Sequence, residues 1–213
     1  MIRAILYDLD GVLVDAMSLH EEAFLAAVRA YGKIALSQQE HQEHYAGLPT
    51  RKKLEALVRI GALDQRYVEE VAKAKQRLTQ EYITQRIHPD PSRINLLQHF
   101  KGKYPQGCVT NCIKQTTMEL LTRAQLLPLL DAIITNEDVK SPKPDPEPYI
   151  RACGLLGFTP REVLVFEDHD VGMTSAYNAG CQARQIKEYR ELTVEVVWQA
   201  IEEANLLAKE QPL

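Results

Sequence analysis

A chain of 213 residues is long enough for one large domain, or one domain carrying an insertion, with a full core. Apolar residues at 45% and charged residues at 25% are the proportions of an ordinary soluble globule, and a net charge of -4 argues against a nucleic-acid binder, which needs a basic face. No apolar run is long enough for a membrane span and the N-terminus carries no signal-peptide pattern, so a cytoplasmic protein without an obligate partner is expected.

The first element is an apolar run, Ile2 to Tyr7, that reads as a short buried strand. It leads into Asp8-Leu9-Asp10-Gly11. If the extended pattern persists, the Asp8 and Asp10 side chains leave on the same side, and Gly11 then turns the chain. Two carboxylates at the mouth of a buried strand are electrostatically costly unless a cation or a reaction uses them.

Helical spacing follows from Glu21 to Tyr31, with Ser18 or Asp15 as the expected cap and Gly32 as the stop. Ser37-Gln38-Gln39-Glu40 has capping-box spacing and opens a second helix. Gly47 to Pro49 is a break, after which Thr50 is expected to cap a helix carrying Leu54, Leu57 and Val58, stopped at Gly61. Asp64 opens a long polar helix to Arg86. Consecutive helices directly after one strand predict a helical insertion, residues 16–88, in an α/β core made of 1–15 and 89–213.

Asp90 before Pro91 starts the next helix. From there strands and helices alternate: strands at Gln106 to Thr110, Ala132 to Thr135, Val163 to Phe166 and Cys181 to Ile186, with helices at Lys114 to Ala124, Pro146 to Leu156, Val171 to Ala179 and Val194 to Leu207, and a frayed tail. Thr159-Pro160-Arg161-Glu162 is a second capping box on a short turn. Such alternation predicts a Rossmann-like parallel sheet covered on both faces. Cys108, Cys112, Cys153 and Cys181 sit in apolar contexts and read as buried reduced thiols rather than a zinc site.

Ligands of such sheets sit at the carboxyl ends of the strands. Three strand ends then bring together Asp8 and Asp10, Thr110 and Asn111, and Glu167 and Asp168, with Lys143 in the stiff loop Ser141-Pro142-Lys143-Pro144-Asp145-Pro146. Carboxylates without His or Cys favour Mg2+ over zinc or copper. Lys143 and the Thr110 hydroxyl can hold phosphate oxygens. An Asp beside a metal and a Lys can attack phosphorus, and a second carboxylate two residues on can move protons. Singly, each residue is as readily a cap or a surface charge; jointly they point to phosphoryl chemistry.

Four segments in order resemble the motifs of the haloacid dehalogenase superfamily, in its phosphatase and β-phosphoglucomutase-like branch: Asp8 to Asp15, Val109-Thr110-Asn111, Lys143-Pro144-Asp145-Pro146, and Phe166-Glu167-Asp168-His169-Asp170-Val171-Gly172. The resemblance implies a Rossmann-like core with a helical cap. It implies Asp8 as nucleophile, Asp10 as general acid and base, Thr110 and Lys143 on the phosphate, and Mg2+ at Asp8, the Asp10 carbonyl and Asp168 with Glu167 nearby. Gly11, Asn111 and Arg51 complete the expected substrate-binding set. The reaction so implied is Mg2+-dependent hydrolysis of a small phosphorylated metabolite, a sugar phosphate or similar, through an aspartyl phosphate; a hexose phosphate mutase using the same intermediate is the alternative. Ala16 stands where many relatives carry Thr or Ser, His169 where Ser is usual, and Ser92 where Gly is usual. The missing hydroxyl at Ala16 tilts the choice to hydrolysis. A dehalogenase does not need Asp10, and a phosphonate hydrolase would need a lysine where Thr50 stands. A non-catalytic binder is disfavoured because no catalytic position is lost.

Overall fold

A computed structural model describes residues 1–32 and 35–210. They fall into two compact units, Met1–Asp15 with His88–Leu213, and Ala16–Ile87.

The first unit is built on a five-stranded parallel sheet: β1 (Ala4–Tyr7), β2 (Gln106–Val109), β3 (Ala132–Ile134), β4 (Val163–Glu167) and β5 (Gln182–Gln185). The order is β3-β2-β1-β4-β5, so β1 is central. The register pairs Tyr7 with Cys108 of β2 and with Phe166 of β4, which brings the ends of the three strands level. β1, β2 and β4 are buried at every position, as expected of parallel strands covered on both faces. Alternate side chains go to opposite faces. Ala4, Leu6, Val163 and Val165 join one apolar cluster with Tyr149, Ala152, Cys153 and Ala176, while Tyr7 and Phe166 stack with centroids 5.7 Å apart. Gly107 has no room for a side chain, because a Cβ there would meet Leu6 at 2.8 Å and the Ala132 carbonyl at 3.0 Å.

The helices of this unit come after the strand they serve. With the helical unit's four counted first, they are α5 (Pro91–Phe100), α6 (Lys114–Arg123), α7 (Glu147–Leu156), α8 (Asp170–Ala179) and α9 (Val194–Glu210). α7 lies against β2 and β3, α8 against β4 and β5, and α9 against β4. Asp90 caps α5 by accepting from the Ser92 amide at 2.9 Å, with Pro91 at the first position. α7 and α8 close on Gly157 and Gly180, both in the left-handed region that glycine adopts without penalty. α9 runs three residues past Leu207, and the remainder of the tail lies outside the described residues.

The second unit comprises α1 (Met17–Tyr31), α2 (Gln38–His44), α3 (Thr50–Arg59) and α4 (Val68–Arg86). α1 packs along α4, and α3 against α4. Phe24, Val28, Leu54, Leu57, Leu63 and Val71 form its core. The capping box at Ser37 is closed by both bonds, Ser37 N–H to Glu40 at 2.8 Å and Glu40 N–H to Ser37 Oγ at 3.2 Å.

Three local expectations are corrected. Thr50 is the first helical residue of α3, not its cap; the extended backbone falls on Pro49, which has no side-chain acceptor. α1 begins after Ala16 with no side-chain cap from Asp15 or Ser18. Asp64 caps a short 3-10 turn, Gln65–Tyr67, and α4 starts only at Val68. No helix among the described residues is long and apolar enough to cross a membrane.

Candidate active site

The site assembles at the carboxyl ends of β1, β2 and β4. β1 stops at Tyr7, but the Asp8 amide still donates to the Phe166 carbonyl at 2.9 Å, which fixes Asp8 at the mouth of β4. The strand does not continue to Asp10 as the alternation suggested. The Leu9 carbonyl accepts from the amides of Leu13 and Val14 at 3.0 and 2.8 Å, and the Gly11 amide donates to Val14 at 2.8 Å. Gly11 takes φ +84°, which only glycine adopts readily. Residues 9–14 therefore form a tight turn, and Asp10 reaches the cluster from that turn.

Lys143 is the hub. Its side chain is 3% exposed, and its three N–H bonds have three acceptors: Asp8 Oδ1 at 2.6 Å, the Val109 carbonyl at 2.7 Å, and Glu167 Oε1. The loop that carries it is held at both ends. Asn111 accepts from the Lys143 amide at 3.0 Å and donates to its carbonyl at 3.2 Å. Glu147 accepts from the amides of Lys140 and Ser141. The Asn111 side chain thus shapes the lysine loop.

Thr110 is buried, and its hydroxyl accepts from the Cys112 amide at 3.0 Å. The Cys112 thiol in turn donates to Asp10 Oδ2 at 3.0 Å. His169 caps α8 by accepting from the Val171 amide at 3.3 Å, the role a shorter polar residue would otherwise fill. Gly172 lies directly over Glu167: a Cβ there would overlap the carboxylate. Arg51 belongs to the helical unit, where it is exposed and paired with Glu69 at 2.8 Å.

Asp8, Glu167 and Asp168 each present a carboxylate oxygen within 4.8 Å of the others. The Asp10 carboxylate is not in that set, so its expected share of the metal rests on its backbone carbonyl. Burial, then the charge of Glu167, pushes the Asp8 carboxyl well above the usual carboxylate range, against the pull of Lys143. Burial, then Glu167 and Asp10, pushes Asp168 up to about 7. Burial alone would lower Lys143, but Asp8 and Glu167 outweigh it and hold its ammonium charged. The site is thus short of positive charge. A phosphate dianion would worsen the imbalance, and an oxygen-ligated divalent cation would relieve it. The donor set fits such an ion.

Sequence reasoning missed Tyr149, Glu147 and Ser175. Tyr149 donates its phenol to Glu167 Oε1, and Ser175 donates to the Asp145 carbonyl in the lysine loop. Tyr149 and Ser175 act through tertiary contacts and Glu147 through bonds across its own loop, and no periodicity marks either kind.

A model of haloacid dehalogenase-like hydrolases matches residues 5–186. The chain is 28% identical over 184 residues to a phosphorylated carbohydrates phosphatase of Thermotoga maritima, covering 84% of this chain and 82% of that one. It is 30% identical over 183 residues to a validoxylamine A 7'-phosphate phosphatase of Streptomyces hygroscopicus subsp. limoneus, covering 84% and 83%. Among solved structures, β-phosphoglucomutase from Clostridium difficile superposes with a TM-score of 0.83 at 18% identity, over 97% of this chain and all of that one. That likeness is one of fold.

Proposed function

The chain belongs to the haloacid dehalogenase-like hydrolases, and we propose that it is a Mg2+-dependent phosphatase that cleaves the phosphate ester of a small sugar-like metabolite by way of an aspartyl phosphate on Asp8. The observation that carries this reading is Asp8 itself, buried at the end of the central strand and bonded at 2.6 Å to a lysine that also holds Glu167. The two phosphatase relatives support the substrate class.

Asp8, Glu167 and Asp168 would hold the cation, with the Asp10 carbonyl. When bound, it neutralises the carboxylates and draws charge off the phosphate oxygens. Lys143 orients Asp8 and opposes the rise in its pKa, and by exchanging one of its three acceptors it would take a phosphate oxygen together with Thr110. Asp8 attacks phosphorus; a new O–P bond forms as the ester P–O bond breaks. Asp10 gives its proton to the departing alkoxide. It then takes a proton from water, which attacks the phosphoaspartate, releases inorganic phosphate and restores Asp8. The helical unit, Ala16–Ile87, is proposed as the cap that selects substrate. Arg51 would have to exchange Glu69 for the substrate to take part. No disulfide joins the four cysteines, and Cys112, expected buried, is only half-buried; reduced thiols suit the proposed cytoplasmic setting.

The direct test is product identity across a panel of sugar phosphates with Mg2+. Inorganic phosphate is expected, lost with a chelator and regained with Mg2+. An isomeric sugar phosphate without phosphate release would instead mark a mutase.

The cation also predicts a pH dependence. In the metal-free protein the folded state keeps a proton on Asp168 up to about pH 7, whereas the unfolded chain gives it up near pH 4. The folded state binds more protons across that window, so stability falls as pH rises through it, on the order of a few kcal/mol. Asp8 acts in the same direction. Thermal melts in EDTA should show Asp168→Asn gaining on the parent from pH 5 to pH 7.5, and Mg2+ should raise the parent Tm more at pH 7.5 than at pH 5. A Mg2+ shift equal at both pH values would contradict this.

A further inference from the structure

We propose that Tyr149 is a positioning residue of this site, whose phenol fixes the Glu167 carboxylate in the arrangement that receives the metal; this rests on the Mg2+-dependent reading above. Tyr149 lies in the first turn of α7 and is fully buried among Ala4, Leu6, Val109 and Ile134, an environment in which phenylalanine would pack as well. A buried hydroxyl is costly unless it finds a partner. The partner here is Glu167 Oε1.

That oxygen takes a second donor, Lys143 Nζ, so two fixed groups bind one carboxylate oxygen. The ring of Tyr149 adds a third constraint, since Lys143 Nζ stands 5.0 Å from its centroid, within reach of a cation–π contact. On the side of α8 the carboxylate meets Gly172, where not even a Cβ would fit. Glu167 is therefore boxed by a phenol, an ammonium and a bare backbone. Its rotation is prevented, and its remaining capacity to accept is directed by its neighbours. One tyrosine thus touches both members of the buried Lys143–Glu167 pair. Groups that orient metal ligands from behind typically change affinity by about ten- to a hundredfold when removed.

The test is a calorimetric titration of Mg2+ into purified parent, Tyr149→Phe, Glu167→Gln and the double variant. Tyr149→Phe keeps the ring and should raise the Mg2+ Kd about tenfold while melting cooperatively in EDTA. In the Glu167→Gln background the same change should alter Kd less than twofold, because the amide no longer offers the metal the carboxylate charge that the phenol positions. Equal Mg2+ affinity in parent and Tyr149→Phe would overturn the assignment alone, as would full additivity in the double variant. A parent that binds no Mg2+ would overturn both this and the metal-dependent reading. Should Tyr149→Phe fold poorly, the comparison of the double variant with Glu167→Gln still decides: a tenfold difference there refutes action through Glu167.

Discussion

Asp8→Asn abolishes turnover, with kcat lower by about four orders of magnitude or more, while the protein remains folded. Asn keeps the shape of Asp and an oxygen to accept from Lys143, so the hydrogen bond at 2.6 Å has a substitute. What it lacks is the nucleophilic carboxylate, which nothing else at the strand end can replace, because Asp10 sits on the following turn and Glu167 is engaged by Lys143 and Tyr149. Loss of one negative charge also eases the crowding that raises Asp8 above the carboxylate range. The metal-free variant should therefore melt no lower than the parent at pH 7.5. A kcat within tenfold of the parent would remove Asp8 from the chemistry.

Lys143→Met has the largest expected effect on stability. Methionine fills the space of the lysine stem but leaves Asp8, Glu167 and the Val109 carbonyl without their shared donor. Removing one partner from a buried ion pair typically costs about 3–5 kcal/mol, since the remaining charge is uncompensated. The carboxylates can escape by taking up protons, so the loss should be greatest at pH 7.5 and smaller at pH 5. Urea unfolding of the metal-free proteins at both pH values measures it. A loss under about 1 kcal/mol at pH 7.5 would mean that the lysine is not what holds the cluster together. Activity should fall as well, because Asp8 loses the group that orients it.

Much of the architecture was legible in local signals. The runs at Ala4–Tyr7 and Val163–Glu167 are apolar because parallel strands are buried on both faces. The boxes at Ser37 and Thr159 closed because Ser or Thr with Glu three residues on is a self-contained unit. Asp8, Thr110 and Asp168 each stand directly after a strand and Glu167 ends one, which is what groups them in the sequence, whereas Asp10 lies on a turn and Lys143 on a loop. What failed needed information from elsewhere in the chain. The turn after Asp8 is made by Leu13 and Val14 folding back on Leu9, which alternation cannot foresee. Thr50 looked like a cap because composition does not say which of two adjacent residues holds the extended backbone. The two bonds that tie Asn111 to the Lys143 backbone 32 residues away are likewise invisible in one dimension. Tyr149 carries no local signal at all; its hydroxyl reveals its use only against Glu167.

The central claim is a phosphoryl group carried on Asp8. It is tested most directly by mixing excess enzyme and Mg2+ with p-nitrophenyl phosphate, quenching in acid at successive times, and mapping by mass spectrometry the homoserine that borohydride reduction leaves at a phosphorylated aspartate. Release of nitrophenol ahead of inorganic phosphate, with the difference recovered as label on Asp8, is the predicted result. Nitrophenol and phosphate appearing together at the earliest times, with no label on the chain or label on another residue, would contradict it.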